Sequence, residues 1–131
     1  MFSIRPALAL ALTLGVLAIP TTSHVASATT HREVALGATH SCVLEPDDTV
    51  WCWGKNDYGQ LGDGTTTDHF TPRQVTGLTG VVSLTSGTEF ACAVTNNGKA
   101  WCWGANMSGQ LGNGTTTSAT TPVQVSGVTN A

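Results

Sequence analysis

Short apolar runs rich in Val, Thr and Trp, separated by clusters of Gly, Asn, Asp and Pro, fill the chain from about residue 33 onward. That spacing predicts β-strands joined by tight turns. No stretch beyond the N-terminal segment shows helical periodicity with capping residues. Val81 to Ser86 reads as one strand, Gly87-Thr88 as a turn, Phe90 to Thr95 as a second strand and Lys99 to Gly104 as a third. Asn96-Asn97-Gly98 separates the last two. A three-residue hairpin loop wants a positive φ at its final position, and Gly98 supplies it. Closure by that loop sets Thr95 opposite Lys99. Counting back, Val94 faces Ala100, Ala93 faces Trp101 and Cys92 faces Cys102.

The same text occurs twice, fifty residues apart, from Cys42 to Cys92. Trp51-Cys52-Trp53-Gly54 returns as Trp101-Cys102-Trp103-Gly104, and Gly59-Gln60-Leu61-Gly62 as Gly109-Gln110-Leu111-Gly112. Gly64-Thr65-Thr66-Thr67 and Thr71-Pro72 return at the same offset. A fixed period of this size marks a solenoid, a propeller or an array, whose units bury their apolar faces only against neighbours. In the first copy the hairpin loop is Pro46-Asp47-Asp48. Pro46 presets the first turn position and Asp48 tolerates the left-handed one. Glu45 then faces Thr49, and Cys42 faces Cys52.

Both cysteine pairs fall at non-hydrogen-bonded sites, where Cα atoms lie about 4.5 Å apart, at the near edge of disulfide reach. The register therefore predicts Cys42–Cys52 and Cys92–Cys102 bridges. Trp51 and Trp53 point to one side of their strand and Cys52 to the other. Small partners (Ser41 and Val43, Ala91 and Ala93) stand opposite the tryptophans, so sheets are expected to stack with all four tryptophans mostly buried. A long loop follows, from Lys55 to about Thr71, and Pro72 or Pro122 opens a short fourth strand. Four short antiparallel strands per repeat make one propeller blade.

The N-terminus reads differently. Arg5, the apolar run Ala7 to Ile19, Pro20 and Ala26-Ser27-Ala28 form a secretory signal pattern cut after Ala28. The run is shorter than the roughly 20 residues a spanning helix needs, which argues against a membrane anchor. The expected organisation is signal peptide 1–28, repeat one 29–80 and repeat two 81–131. After cleavage Arg32, Lys55, Arg73 and Lys99 face eight acids, a net charge of −4. No basic patch marks a nucleic-acid partner. Four cysteines in a short exported chain fit two disulfides and a secreted or cell-envelope location.

These motifs together resemble the regulator of chromosome condensation repeat family. The likeness rests on the Gly-x-x-x-(His/Phe)-(Ser/Ala)-Cys run, Trp-Cys-Trp-Gly, Asn-x-x-Gly-Gln-Leu-Gly-(Asp/Asn)-Gly-Thr and Thr-Pro-x-Gln-Val. It covers residues 33 to 131 and is strongest toward a secreted bacterial branch with paired cysteines. The resemblance implies a seven-bladed β-propeller, of which this chain holds two repeats. The fold expected is all-β: two four-stranded antiparallel blades of an incomplete propeller. The faces left open imply a longer parent chain, copies that assemble, or a capping partner.

Function follows from what the loops carry. A non-catalytic, secreted protein-binding scaffold is the first expectation, with contacts from loops 55–70 and 105–120. Asp57, Tyr58, Asp68, His69 and Phe70 are the candidate contact residues, because Met107, Ser108, Ser118, Ala119 and Thr120 replace them in the second copy. The family resemblance also suggests an inhibitor of a secreted enzyme such as a β-lactamase. Nucleotide exchange on a small GTPase, the activity of the family's eukaryotic founder, does not suit an exported chain. The partner expected is a protein or further copies of the chain, with no nucleic acid, no membrane after cleavage and no cofactor. Catalysis is not expected. His40 and His69 lack spaced partners, and His40 replaces Phe90, which suits an apolar strand end. The cysteine spacing is not that of zinc sites, Asp57 and Asp63 are too sparse for a calcium loop, and the Gly-rich loops lack the helix and Lys of a phosphate cradle. Asn106-Met107-Ser108 and Asn113-Gly114-Thr115 match the glycosylation pattern, a short motif given no function here.

Overall fold

The computed structural model describes residues 32–131, and within them the regular structure is all strand. The expected signal segment, 1–28, lies outside the described residues. Eight strands follow in order: β1 (Glu33–Leu36), β2 (His40–Leu44), β3 (Val50–Gly54), β4 (His69–Gln74), β5 (Val81–Ser86), β6 (Phe90–Thr95), β7 (Ala100–Gly104) and β8 (Ala119–Gln124). They form two four-stranded antiparallel sheets, β1-β2-β3-β4 and β5-β6-β7-β8.

The turn residues set the hairpin registers. Asp48 and Gly98 hold φ values of 66° and 80°. The Glu45 N–H donates to Thr49 O at 2.8 Å and the Thr95 N–H to Lys99 O at 2.9 Å, closing each loop. Cys42 then stands opposite Cys52, and Cys92 opposite Cys102. Disulfides join both pairs, with Cα atoms 4.1 and 4.0 Å apart.

The fourth strand begins earlier than the prolines suggest. It starts at His69 and Ala119, and Pro72 and Pro122 lie inside it. Register jumps here, from Arg73 opposite Cys52 to His69 opposite Gly54. A bulge on a strand at the end of the sheet order tolerates a residue with no N–H to give.

One core joins the sheets. Ala35, Leu44, Val50 and the Cys42–Cys52 bridge come from the first sheet, with Leu61, Val75 and Leu78 from its connecting segments. They meet Leu84, Ala91, Ala93 and Trp103 of the second sheet. The disulfide face of one sheet thus packs on the tryptophan face of the next. The Leu84 N–H donates to Glu33 Oε1 at 2.8 Å across the seam. The tryptophans do not share one fate, contrary to the expectation of four mostly buried rings. Trp103 is fully buried, Trp101 packs at the core's edge, and Trp51 and Trp53 stay half-buried on a sheet face that nothing described covers. Burial here depends on a neighbouring sheet rather than on local sequence.

His40 occupies the strand-end position of Phe90 and is buried, with neither ring nitrogen hydrogen-bonded among the described residues. Its ring leaves no room for a Cβ at Gly37, as the Phe90 ring leaves none at Gly87. Burial lowers its pKa from the ordinary 6.5. The unfolded chain therefore takes up a proton first, so stability is complete above about pH 6.5 and falls as pH drops through it. His40→Phe is expected to remove that loss. Thermal melts should show its advantage over the parent widening from pH 7.5 to pH 5, by up to about 1.4 kcal/mol per pH unit.

Candidate functional site

The loops 55–68 and 105–118, which carry the differences between the repeats, have no helix or strand to hold them. A buried asparagine does so instead. Asn56 is fully buried. Its Nδ2 donates to Thr65 O at 2.9 Å and Thr67 O at 3.0 Å, with Thr65 Oγ1 and Asp63 Oδ1 at 3.2 and 3.3 Å. Its Oδ1 accepts from the Leu61 N–H at 2.9 Å, and its own N–H donates to Asp68 Oδ1 at 2.9 Å. Asn106 makes the same set in the second loop, to Thr115 O and Thr117 O at 3.0 Å and from the Leu111 N–H at 2.9 Å. Only a side-chain amide offers two donors and an acceptor at one point. The repeated Asn-x-x-Gly-Gln-Leu-Gly motif was the sequence signal for this role. Asn106 is also the first glycosylation-pattern residue, and its buried amide is fully engaged.

Gly59-Gln60-Leu61-Gly62 seats the first loop against the second sheet. Gln60 is fully buried, and its backbone oxygen accepts from Trp103 Nε1 at 3.0 Å. Its side chain accepts from the Tyr58 N–H at 2.8 Å and donates to Glu89 Oε1 at 3.3 Å. A Cβ on Gly62 would lie 2.9 Å from the Trp103 ring, and one on Gly59 would lie 2.7 Å from Thr120 Cα. Side chains at these two positions would push the sheets apart.

The five candidate contact residues fall into separate settings. Asp57 and Tyr58 are exposed at the loop tip. Lys55 Nζ lies 3.7 Å from Asp57 Oδ2 and 3.5 Å from Asp68 Oδ2, and these carboxylates raise its pKa. Asp68 is half-buried and holds Asn56. His69 and Phe70 belong to β4, not to the loop, because the strand starts before Pro72. His69 Nε2 and Arg73 Nε lie 3.5 and 3.6 Å from Asp63 Oδ2, whose side chain is only 3% exposed. Burial raises the Asp63 pKa. Hydrogen bonds from the Thr65 hydroxyl and amide, from Asn56, and the His69 charge outweigh it and leave the group below its ordinary value. Asn113 takes equivalent bonds from Thr115 at 2.9 and 3.1 Å, so the loop frame does not need the charge. The first loop and β4 thus carry an ionic cluster whose positions hold Ala105, Met107, Asn113, Ser118, Ala119 and Val123 in the second repeat.

Among the described residues no group of three or more His, Cys, Asp or Glu converges on a metal-sized space. The repeat frame itself is widely shared. The sequence pattern of the regulator of chromosome condensation (RCC1) repeat matches residues 47–94 and 97–131, and a second pattern of the same repeat matches 32–60 and 81–110. The chain belongs to the RCC1 repeat family.

The matched RCC1 unit 47–94 runs from the first sheet into the second, β3 to β6, so this sequence repeat stitches the two blades together. Similar proteins include human E3 ubiquitin-protein ligase HERC2, 40% identical over 66 residues, covering 46% of this chain and 1% of that protein. The ultraviolet-B receptor UVR8 of Arabidopsis thaliana is 40% identical over 58 residues, covering 43% of this chain and 13% of that protein. The chain therefore corresponds to a small part of each. Among solved structures, Prp20p of Saccharomyces cerevisiae superposes with a TM-score of 0.66 at 20% identity, over 83% of this chain and 27% of that one. Human WBSCR16 gives 0.64 at 24% identity, over 74% and 27%. Yeast RCC1 (Prp20) in a structure with Kap60 bound gives 0.60 at 28% identity, over 70% and 22%. The two sheets are blades of an RCC1-type β-propeller.

Proposed function

We propose that this chain is a non-catalytic, secreted protein-binding scaffold, part of a β-propeller, that contacts its partner through the tip of the first loop. The observation that carries the reading is the shared frame with unlike tips. Asn56 and Asn106 hold the two loops by the same bonds, yet Lys55, Asp57 and Tyr58 stand where Ala105, Met107 and Ser108 do. Rigid loops with variable exposed residues are where scaffolds place recognition. The two hairpin disulfides suit an oxidising compartment, which favours export. Structural neighbours support a protein partner: one was solved with Kap60 bound, and another was studied for binding to Gsp1p and histones. Exchange on a small GTPase is not carried over, because an exported chain would not meet that partner.

The test separates contact from folding. Tyr58 is exposed, so Tyr58→Ala should change stability by less than about 0.5 kcal/mol. A photo-crosslinking residue at position 58 in the exported chain should capture one discrete extracellular protein, whereas the same residue at Gly77 should not. Titration calorimetry against that protein should then show Tyr58→Ala binding at least tenfold more weakly, on the order of 1.4 kcal/mol. Capture equal at both positions, or unchanged affinity, overturns the reading. Capture of an enzyme that loses activity on binding would select the inhibitor form of the same scaffold.

A further inference from the structure

His40 lies at the root of the first loop, inside the seam between the two sheets. Two residues before Cys42, it shares the face of Cys42 and Leu44 that turns toward the second sheet. It is 3% exposed, and neither ring nitrogen has a hydrogen-bond partner among the described residues. Three backbone bonds tie its turn down. The Gly37 N–H donates to His40 O at 2.9 Å and closes the turn between β1 and β2. The Ala38 N–H donates to Thr88 O at 3.0 Å and joins that turn to the second sheet. The Lys55 N–H donates to Thr39 O at 3.0 Å and joins it to the first residue of loop 55–68. The space around it is filled. A Cβ on Gly37 would lie 2.2 Å from the His40 ring, and one on Gly54 would lie 2.5 Å from Thr39 O. The ring has no room to swing toward an acceptor while the turn stays shut.

The second repeat builds the same root around a ring that does not titrate. Phe90 takes the place of His40, and the bonds from Gly87 N–H to Phe90 O and from Ala105 N–H to Glu89 O recur at 2.8 and 2.9 Å. The frame itself does not need an imidazole, whose distinct property is proton uptake near neutral pH. The ionisable side chains on the elements packed around His40 are engaged elsewhere. His69, across Gly54 on β4, sets its Nε2 3.5 Å from Asp63 Oδ2, and Arg73 Nε lies 3.6 Å from the same oxygen. Lys55 pairs with Asp57 and Asp68. Glu89 accepts from Gln60 Nε2, and Glu33, at the far end of β1, accepts from the Leu84 N–H.

We infer that His40 is an acid-operated latch on the first loop: proton uptake parts the β1–β2 turn from Thr88 and Lys55, frees the root of the loop and weakens the hold of its tip. A protonated ring in the closed seam is a buried cation with two N–H donors and no acceptor. Burial accordingly lowers the His40 pKa from the ordinary 6.5. With the turn open, water reaches the ring and the proton is held at its ordinary strength. Opening is therefore unassisted above about pH 6.5 and gains up to about tenfold per pH unit below it. Asn56, the residue after Lys55, keeps its bonds to Thr65 and Thr67, so acid loosens the loop at its root rather than along its length. Release of a partner rests on the scaffold reading above, whereas the latch itself does not.

The test uses the oxidised, purified chain and His40→Phe, with hydrogen exchange read amide by amide at pH 7.5 and pH 5 and corrected for the exchange of free amides. In the parent, protection of the Ala38 and Lys55 amides should fall by about tenfold or more at the lower pH. Their exchange should not respond to low urea, the mark of local opening rather than global unfolding. In His40→Phe the fall should be absent. Proton NMR of the parent's His40 ring should show it titrating below pH 6.5, in step with the loss of protection, and decides the point if His40→Phe does not fold. With the protein captured at position 58, parent affinity should drop over the same range by about tenfold or more relative to His40→Phe. Equal protection at both pH values, an equal fall in His40→Phe, or exchange only through urea-dependent unfolding would each overturn the latch. Opening without a drop in affinity overturns the release. Failure to capture any partner sinks the scaffold reading and the release with it, and leaves the latch to stand or fall on exchange.

Discussion

Trp103→Ala is expected to destabilise the two-sheet unit by about 3–5 kcal/mol, the range for removing a fully buried aromatic from a packed core. Trp53→Ala, the same change in the same local sequence, should cost the isolated chain far less. The contrast follows from placement. Trp103 is the largest side chain with no exposed surface, set between the disulfide face of the first sheet and its own strand. Truncation opens a cavity that Gly62, held at a φ of 66°, cannot fill by relaxing. It also leaves the buried Gln60 oxygen without the indole N–H that now meets it at 3.0 Å. Trp53 has neither the cover nor that partner among the described residues. Denaturant melts of the two variants at neutral pH measure the difference, and near-equal midpoints would mean that the inter-sheet seam is not the main source of stability. A total stability of roughly 5–15 kcal/mol is usual for a domain, so a loss of this size would leave much of the Trp103→Ala protein unfolded at ordinary temperature.

The same contrast explains how much could be read from the sequence. The hairpins were legible to the residue, because alternation fixes which side chains share a face and Asp48 and Gly98 fix where the chain turns. The opposed cysteines follow from that counting alone. Tryptophan burial was not legible, because Trp53 and Trp103 sit in identical tetrapeptides and differ only in what lies beyond their sheet. The start of β4 is not legible because Pro72 reads as a strand opener, while the bulge that admits it depends on the pairing of β4 with β3. His69 and Phe70 therefore read as loop residues although they belong to β4. Asp57 and Tyr58, which lie between β3 and β4, stand at an exposed turn. The repeated Asn-x-x-Gly-Gln-Leu-Gly motif marks Asn56 and Asn106, but what they bond is not legible for another reason. Bonds from one side chain to backbone groups five to eleven residues away leave no periodic trace.

Asn56→Ala is expected to cost on the order of 3 kcal/mol, from groups left buried and unpaired rather than from lost volume. The Leu61 N–H and the Thr65 and Thr67 carbonyls each lose their partner, and each unsatisfied buried group costs about 1–3 kcal/mol where water cannot reach it. Part of that loss is recovered as the loop opens to solvent. Asn56→Asp is the sharper probe. It keeps an acceptor for the Leu61 N–H but presents oxygen to Thr65 O, Thr67 O and the Asp63 carboxylate, all of them acceptors. It should therefore be no better than alanine at neutral pH. It should improve relative to alanine as pH falls toward about 4, because burial among acceptors raises the carboxyl's folded pKa above its free value and the protonated form regains one donor. Asn106→Ala should be milder in this chain, since among the described residues no second sheet packs on its loop as the second sheet packs on loop 55–68. Because loop 55–68 carries Gln60 to Trp103, the Asn56 and Trp103 substitutions act on one contact. The double variant should lose less than the sum of the singles, by more than the 0.3–0.5 kcal/mol scatter of independent sites. Denaturant midpoints for the four proteins of that cycle, with hydrogen exchange at the Leu61 amide, supply the check. Strict additivity would mean that the loop and the seam are held independently.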